Sequence, residues 1–316
     1  MQAVCVIIPT LRRPEGLTRA LRSVFAQTGL GSTPISVVVV DNDPAGTARA
    51  TVEALRADCP FPLVYRHEPR PGVATARNAA LLETDAPLIA FLDDDESASP
   101  GWLAGLLAAE TQTGADAVFG PITGRVPDDT GWAAAYLARF FGREGPASTG
   151  LIDHGYGCGN SLMVRATALP GPSPFDTGAD QTGGEDDALF AALKARGGRF
   201  AWAADAWVEE FAPPHRATMR YALARAFAYG QGPSQTAARA RDWPGVARWM
   251  AVGVAQAAVW GLAAIALTVV AHPHRAEMMD RTARGLGKVF WMRGFEPQFY
   301  GARELRRLQA ISPSTA

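Results

Sequence analysis

Apolar runs and helical patterns alternate along the first hundred residues. Four runs rich in Val and Ile predict strands, at residues 4–8, 35–40, 63–65 and 88–92. The segments between them carry apolar side chains at helical spacing, namely Leu17, Leu21, Val24 and Phe25, then Val52 and Leu55, then Ala76, Ala79, Ala80 and Leu82. Strands that are apolar throughout are typical of a parallel sheet with helices on both faces. The predicted fold class is therefore α/β with a mostly parallel sheet.

Polar residues follow three of the four predicted strands. They are Thr10, Arg12 and Arg13, beside Pro9, after the first strand, residues 41–43 after the second and residues 93–96 after the fourth. In open α/β sheets, ligands bind beyond the carboxyl ends of the strands. We therefore expect these polar groups to form one binding edge.

Four consecutive acids, Asp93 to Glu96, follow the fourth strand. Such neighbours repel one another, and a bound cation relieves the repulsion. Oxygen ligands suit Mg²⁺ or Mn²⁺, which take one or two carboxylates and complete their shell with phosphate oxygens and water. The pattern favours a metal bound together with a diphosphate. The alternative is a solvated turn in which Ser97 or Ser99 caps a helix that begins near residues 100–102, and we expect that cap as well.

A second acidic cluster, residues 185–187, follows a glycine pair at 183–184 and opens a predicted helix. Leu189, Phe190 and Leu193 recur there at helical spacing. The helix dipole stabilises an ionised carboxylate at this position, and such a carboxylate can take a proton from an attacking hydroxyl. Ordinary first-turn acids are the alternative. The upstream acid run favours the catalytic interpretation.

The remaining patterns are less specific. Trp132, Tyr136 and Phe140 form an aromatic stripe at helical spacing, for which core packing is favoured over stacking on a sugar. Residues 199–211 predict a strand, and an arginine-bearing helix follows. Phosphate binding and simple solvation both stay open for its basic face, which carries Arg216, Arg220 and Arg225.

Length, charge and cysteine content narrow the function. The 316 residues suffice for one catalytic domain with an appendage. Lys and Arg number 30 against 31 Asp and Glu, so the net charge of -1 creates no field that would attract nucleic acid. Cys5, Cys59 and Cys158 lie far apart, which argues against a disulfide framework or a zinc site and suits a reducing cytoplasm. The first residues run directly into a strand, so we expect no secretion signal.

Six segments carry most of these features. In chain order they are VCVIIPTLRRPEGL, VVVVDND, GVATARNAAL, IAFLDDDESASPGWL, GCGNSLMVRATAL and GGEDDALFAALKARGGRFAWAADAWVEE. The ordered set resembles the signature segments of family 2 glycosyltransferases with the GT-A fold, and among them the bacterial exopolysaccharide type exemplified by succinoglycan biosynthesis. Any one segment is weak evidence, whereas the ordered set is specific. The resemblance extends over residues 4–231.

The resemblance implies a fold and a reaction. The fold is GT-A, a Rossmann-like, mostly parallel sheet flanked by helices. The reaction is an inverting transfer of one sugar from a nucleotide-diphosphate sugar, with UDP as the expected nucleotide and Mg²⁺ or Mn²⁺ as cofactor. The acceptor is a glycan or a lipid-linked saccharide in cell-surface polysaccharide synthesis. A single in-line displacement at the anomeric carbon inverts its configuration, and the metal stabilises the departing nucleoside diphosphate.

The resemblance also implies a nucleotide pocket. Pro9, Thr10 and Asp41 hold the base and the ribose, with Arg12 beside them. Arg77 supports the same pocket, and a salt bridge at the sheet edge is an equally good alternative for this arginine.

Metal and diphosphate contacts are carried over in the same way. Asp93 and Asp95 correspond to the DXD acids of the family, the first directed towards the ribose and the second towards the metal. Whether Asp94 contributes stays open. His215 is the candidate for a further metal contact, although a histidine beside two prolines is more often structural.

Asp186 corresponds to the catalytic base, with Glu185 as its neighbour and candidate acceptor contact. Processive polysaccharide synthases of the same family carry several spanning helices and a Gln-x-x-Arg-Trp segment. The sequence has neither feature. We therefore expect one sugar to be transferred per encounter.

A phosphatase or phosphomutase of the haloacid-dehalogenase class is the main alternative function, with Asp93 as nucleophile. An Asp-x-Asp-x-Ser pattern at residues 93–97 supports it. That class places the loop early in the chain and needs a lysine at the phosphate, whereas the only lysines are Lys194 and Lys288. A nicotinamide enzyme is excluded because no Gly-x-Gly-x-x-Gly follows the first strand. A non-catalytic membrane-bound module leaves both acid clusters unexplained.

Residues 249–271 form an uncharged stretch of 23 residues, long enough to cross a bilayer. The tail beyond it is rich in arginine, and short basic segments prefer the cytoplasmic side. We therefore expect the stretch to lie in, or re-enter, the cytoplasmic face of the inner membrane near a lipid-linked acceptor; a helix buried against the catalytic domain is the alternative. The predicted domains are a catalytic domain, residues 1–231, and a C-terminal helical, membrane-associating region, residues 232–316.

Overall fold

The four apolar runs form adjacent strands of one sheet. The structure is a computed structural model and describes residues 2–311. Its strands are β1 (Val4–Thr10), β2 (Ile35–Asp41), β3 (Leu63–His67), β4 (Leu88–Phe91), β5 (Glu96–Ala98), β6 (Ala117–Phe119), β7 (Ile122–Arg125), β8 (Gly150–Ile152), β9 (Ser161–Val164), β10 (Phe200–Trp202) and β11 (Val208–Phe211). Its α-helices are α1 (Pro14–Phe25), α2 (Arg49–Leu55), α3 (Val73–Leu81), α4 (Trp102–Thr113), α5 (Ala134–Phe141), α6 (Arg165–Ala168), α7 (Glu185–Ala195), α8 (Met219–Arg239), α9 (Trp243–Val269), α10 (Arg275–Val289) and α11 (Gly301–Ile311).

The main sheet has the order β3-β2-β1-β4-β9-β6-β10-β8. β1 pairs in parallel with both β2 and β4, and β2 pairs in parallel with β3, so the predicted parallel sheet is confirmed. β9 runs antiparallel between β4 and β6, and β8 runs antiparallel at the edge beside β10. A second sheet of three short strands has the order β5-β11-β7.

The alternation of side chains along β1 divides the core into two layers. Val4, Val6 and Ile8 pack in one cluster, where α1 contributes Leu17 and Leu21. Cys5 and Ile7 point to the opposite face and pack with Ala76 and Ala80 of α3. Because both faces of the strand are covered, every one of its positions from 4 to 8 is apolar and buried.

Two local predictions are wrong. Residues 199–211 form two strands, because β10 pairs with β6 and β8 in the main sheet while β11 pairs with β5 in the small one. The cap of α4 is Gly101, which makes no side-chain hydrogen bond. Ser97 instead lies within β5, and Ser99 contributes its main-chain carbonyl to the Trp102 N–H at 3.0 Å.

The described chain divides into two units. The first contains residues 2–123, 142–211 and 298–311, and the second contains residues 124–141 and 212–297. The boundary predicted at residue 231 falls inside α8. The division into domains 1–231 and 232–316 stays a prediction, and its last residues, 312–316, lie outside the described part of the chain.

The second unit is helical and includes α5, α8, α9 and α10. Tyr136 of α5 is buried in its apolar cluster and donates a hydrogen bond of 2.9 Å to Asp280 Oδ1. Trp132 precedes α5, remains exposed and lies under the guanidinium of Arg275. Core packing is thus confirmed for the middle of the aromatic stripe and is wrong for its first residue. Arg216 likewise precedes the helix predicted to carry it, because α8 begins at Met219.

Candidate active site

The carboxyl ends of β1 and β4 bring two polar segments together. β1 and β2 are in register, so Thr10 lies opposite Asp41, and β4 lies on the other side of β1. The acid run after β4 therefore meets the residues that follow β1. Thr10 Oγ1 donates a hydrogen bond of 2.8 Å to Asp94 Oδ2, which is the first direct link between the two segments.

The four acids of residues 93–96 point alternately inward and outward. Asp94 and Glu96 are buried, whereas the side chains of Asp93 and Asp95 are 36% and 13% exposed. Glu96 Oε2 accepts a hydrogen bond of 2.8 Å from the Asp93 N–H, and Asp94 Oδ2 accepts one of 3.3 Å from the Leu11 N–H. Asp94 and Glu96 thus hold the loop together, whereas Asp93 and Asp95 remain partly exposed.

Arg13 bridges two of these acids, although the sequence did not single it out as a site residue. Its Nη1 lies 2.6 Å from Asp94 Oδ1 and 2.7 Å from Asp95 Oδ2. Burial opposes the charge of Arg13, but the two carboxylates raise the pKa of the guanidinium above its ordinary value. The signal that could have identified Arg13 is its place directly after the first strand, at the predicted edge.

The outward acids fit a divalent cation that brings its own phosphate ligands. Burial raises the pKa of Asp93; Arg77 lowers it, and the nearby carboxylates raise it further. Within residues 2–311, no three His, Cys, Asp or Glu side chains are arranged to hold a metal by themselves. Mg²⁺ and Mn²⁺ need only one or two carboxylates when a diphosphate completes the shell. Asp93 and Asp95 would supply that number of ligands.

Arg77 of α3 joins the acid run to the second acidic cluster. Its guanidinium is buried and lies 5.9 and 5.7 Å from the ring centroids of Phe91 and Phe175. Nη1 donates to Glu185 at the start of α7, and Nη2 lies 3.5 Å from Asp93 Oδ1. Glu185 Oε2 is buried and has no hydrogen-bond partner. The salt bridge that the sequence offered as an alternative role for Arg77 is therefore present.

Asp186 lies beside Glu185 but in a different environment. It is half-buried, and its Oδ2 accepts a hydrogen bond of 3.2 Å from the Cys158 N–H. The preceding Gly183 and Gly184 adopt φ angles of 80° and 92°, which side chains disfavour, and this turn sets the direction of the helix. Because Glu185 is tied to Arg77, Asp186 is the acid of this pair that a ligand can reach.

The segment 157–160 passes close to both acidic clusters. A Cβ on Gly159 would lie 2.7 Å from Asp93 Oδ2, and a Cβ on Gly157 would lie 3.3 Å from Asp186 Oδ2. Asn160 has a positive φ of 51°, is buried, and accepts a hydrogen bond of 2.8 Å from Trp102 Nε1. In the sequence this segment was notable only for its resemblance to a family signature. Its glycines and asparagine are nevertheless the residue types that such close contacts require.

Asp41 and Arg12 are engaged within the protein. Asp41 is fully buried and accepts hydrogen bonds of 2.7 Å from the Ala48 N–H and 2.8 Å from the Tyr65 hydroxyl. Burial and Asp41 raise the pKa of Tyr65. Arg12 Nε lies 2.8 Å from Asp43 Oδ2. Asp41 thus holds the start of α2 against β3, and the nucleotide roles of both residues stay predictions.

The other predicted residues are not linked to the acids by these contacts. Pro9 is a half-buried residue of β1. His215 is half-buried in the turn before α8, in the second unit. Its role as a metal ligand stays a prediction. The first unit brings together Thr10, the acids 93–95, Arg77 and the acids 185–186.

Comparisons with known sequences agree on one family. The family model described as "Glycosyl transferase family 2" matches residues 5–168. The succinoglycan biosynthesis protein ExoM of Rhizobium meliloti (strain 1021) is 37% identical over 223 residues, which are 70% of this chain and 71% of that protein. Validoxylamine A glucosyltransferase of Streptomyces hygroscopicus subsp. limoneus is 34% identical over 104 residues, which are 33% of this chain and 23% of that enzyme.

Two solved structures share the fold over most of the chain. The mannosyltransferase PcManGT from Pyrobaculum calidifontis, in complex with GDP-Man and Mn²⁺, superposes with a TM-score of 0.58 at 20% identity and covers 92% of this chain and 87% of its own. S. aureus TarS 1-349, in complex with UDP-GlcNAc, gives a TM-score of 0.52 at 15% identity and covers 92% of both chains. At these identities the likeness concerns the fold, which is that of GT-A enzymes.

Proposed function

The chain belongs to glycosyltransferase family 2, and from that premise we propose that it transfers one sugar, with inversion, from a nucleotide-diphosphate sugar in a reaction that needs Mg²⁺ or Mn²⁺. The observation that carries the proposal is the buried Arg77, which joins Asp93 of the acid run to Glu185 of the second cluster. Asp93 and Glu185 are 92 residues apart in sequence, yet both contact the same arginine, which supports one shared site.

We assign Asp93 and Asp95 to the metal and the diphosphate. Both side chains point outward from the run, and Arg13 holds Asp95 in position. A bound divalent cation would neutralise the charge that develops on the departing nucleoside diphosphate. Asp94 has a supporting role in this assignment, because its oxygens accept hydrogen bonds from Thr10 and Arg13. His215 is retained as the candidate for a further metal contact.

Asp186 is the proposed base. Its carboxylate lies at the N-terminus of α7, where the helix dipole stabilises the ionised form. In the proposed step the acceptor hydroxyl loses its proton to Asp186 while its oxygen attacks the anomeric carbon, and the nucleoside diphosphate leaves on the opposite side. One displacement gives inversion. Glu185, neutralised by Arg77, positions Asp186 and borders the acceptor.

The donor and the acceptor are proposed at the level of chemical class. A UDP-sugar is the first donor to test, with GDP-sugars second, since the two structural neighbours carry UDP-GlcNAc and GDP-Man. Pro9, Thr10, Arg12 and Asp41 are the proposed nucleotide side of the pocket. A glycan or lipid-linked saccharide of a cell-surface polysaccharide is the proposed acceptor, supported by the likeness to a succinoglycan biosynthesis protein. The proposed location is the cytoplasmic face of the inner membrane, where nucleotide sugars are available.

Family membership removes the alternative of a haloacid-dehalogenase phosphatase. That chemistry needs a lysine beside the nucleophilic Asp93, whereas Lys194 lies in α7 and donates to the Asp153 carbonyl at 2.6 Å. Lys288 belongs to α10 in the second unit.

A donor screen with the purified protein tests the proposal. Each nucleotide sugar is incubated with Mn²⁺, with Mg²⁺ or with a chelator, and both sugar-nucleotide hydrolysis and thermal stabilisation are measured. We expect at least one donor to stabilise the protein and to be hydrolysed slowly, both only with metal. Hydrolysis that continues undiminished in the chelator, or that is unchanged in Asp95→Ala, would contradict the metal assignment.

A further inference from the structure

The helix α9 presents an apolar face to solvent along most of its length. The exposed residues recur at helical spacing and define what we call the α9 face: Ala251, Val254, Ala255, Ala258, Val259, Leu262, Ile265, Ala266 and Val269. Leu262 is 71% exposed and Ile265 is 65% exposed. The polar Thr268 beside them donates its hydroxyl hydrogen to the Ala264 carbonyl at 2.6 Å. A surface helix in water normally turns its polar side outward, so this face requires an apolar partner.

The opposite side of α9 is packed closely on α10. A Cβ on Gly253 would lie 2.6 Å from the Gly285 carbonyl oxygen, and a Cβ on Gly285 would lie 2.7 Å from the Ala257 nitrogen. α10 in turn packs on α8, where Gly230 leaves no room for a side chain beside the Arg284 main chain. Close backbone contact at small residues fixes α9 alongside a second helix.

This packing argues against a membrane-spanning α9. By length and composition α9 is able to cross a membrane, being about 40 Å long at 1.5 Å per residue. Its neighbour α10 has 15 residues, too few to cross with it. A crossing by the packed pair would carry into the hydrocarbon the charged side chains of α10, which are Arg275, Glu277, Asp280, Arg281, Arg284 and Lys288. Charged groups are strongly disfavoured there.

Arginines and tryptophans near the N-terminal end of α9, and where α9 contacts α10, indicate the chemistry of the partner. From residue 239 to residue 275 the sequence contains four arginines and one aspartate. Arg239, Arg241 and Arg248 are exposed near the N-terminal end, close to the exposed Trp243. Arg281 lies over the ring of Trp260, at 4.5 Å from its centroid. Tryptophan and arginine are the side chains that settle at the headgroup level of a bilayer, and the cations attract anionic lipids.

We propose that α9 lies in the plane of an anionic membrane surface, with the α9 face among the upper acyl chains and the arginines at the headgroups, so that the protein binds one leaflet without crossing it. This inference takes the cytoplasmic leaflet from the proposed function. It is tested without donor or acceptor, so a failure of the catalytic proposal leaves its result unaffected.

Vesicle flotation of the full chain is the primary test. Vesicles of phosphatidylcholine mixed with the anionic lipid phosphatidylglycerol are compared with vesicles of pure phosphatidylcholine. Binding should be stronger to the anionic vesicles and should weaken in high salt. Arg239→Glu/Arg241→Glu should reduce the partition coefficient to anionic vesicles by roughly fivefold or more per arginine. Leu262→Glu/Ile265→Glu should abolish binding to both vesicle types.

Leu82→Glu is the matched control. Leu82 is 65% exposed, as Ile265 is, but it belongs to the first unit, whereas α9 belongs to the second. This variant should bind vesicles as the unchanged protein does. Circular dichroism and thermal unfolding of each variant distinguish lost binding from lost folding. Binding that survives Leu262→Glu/Ile265→Glu in folded protein would overturn the proposal.

Membrane topology and oligomeric state distinguish surface binding from two alternatives for the α9 face, a membrane-spanning helix and contact with a second copy of this chain. In membranes from cells, the protein should be released by an alkaline wash, and a C-terminal tag should be digested only when the cytoplasmic side is open. A tag reached from the outside overturns the proposal in favour of a spanning helix. If the protein does not bind vesicles but forms a dimer that Leu262→Glu/Ile265→Glu abolishes, the proposal is overturned in favour of a second copy of this chain.

Discussion

Removing Arg77 should leave a buried, unpaired carboxylate at Glu185. Both side chains of this pair are only 5% exposed, and breaking such a pair from one side costs about 3–5 kcal/mol. Arg77→Met keeps an unbranched apolar stem and removes the guanidinium with its charge and its donors. We therefore expect the free energy of unfolding to fall by about that amount, which is a large share of the 5–15 kcal/mol typical of proteins.

The loss in the free energy of unfolding of Arg77→Met should increase as the pH rises. Burial raises the pKa of Glu185, and Arg77 acts in the opposite direction. Without Arg77 the folded-state pKa rises further above the unfolded value of about 4.3. A carboxyl group whose pKa is raised by folding favours the folded state at low pH and loses that contribution as the pH rises through the folded pKa. The stability deficit of Arg77→Met should be largest near pH 8 and should shrink towards about pH 5.

Urea unfolding at both pH values measures the effect, with Arg77→Met, Glu185→Gln and the double variant forming a mutant cycle. The double variant should recover much of the loss, because no buried charge is then left without a partner. Arg66→Met is the control, since Arg66 forms an exposed ion pair with Glu83 and such pairs contribute about 0–1 kcal/mol. A loss below about 1 kcal/mol for Arg77→Met, or a loss that does not vary with pH, would refute the reasoning.

Three further predictions concern the acids. Asp95→Ala should abolish metal-dependent donor turnover while circular dichroism shows the fold intact, because Asp94 still pairs with Arg13; turnover at the original rate would show that Asp95 is not a ligand. Asp186→Asn should keep donor binding and lower sugar transfer by about 10²-fold or more, while Asp187→Asn in the same helical turn should not; transfer rates with purified acceptor decide, and equal losses would contradict the assignment. Thr10→Val should lower the free energy of unfolding by about 1–3 kcal/mol, because the buried Asp94 loses a donor, and denaturant titration showing no loss would contradict that network.

The apolar runs by themselves determined the core of the sheet. Residues 4–8 are apolar at every position and residues 37–40 are four consecutive valines, and a strand with such a pattern is stable only when both of its faces are covered. The same reasoning predicted the edge of the sheet that would collect the polar residues. It failed at residues 199–211, where a continuous pattern hides a change of sheet between β10 and β11. Local pattern predicts extended backbone but does not specify the strand with which each segment pairs.

The burial and the partners of each acid in the run were decided by tertiary structure. The sequence shows four consecutive acids at 93–96, and only the fold buries Asp94 and Glu96 while leaving Asp93 and Asp95 partly exposed. The contacts that distinguish them join residues far apart in the chain, such as Arg13 with Asp95, 82 residues away, and Arg77 with Glu185, 108 residues away. The type of a side chain is local information, but its partner, its burial and hence its charge state depend on which distant segments the fold brings beside it.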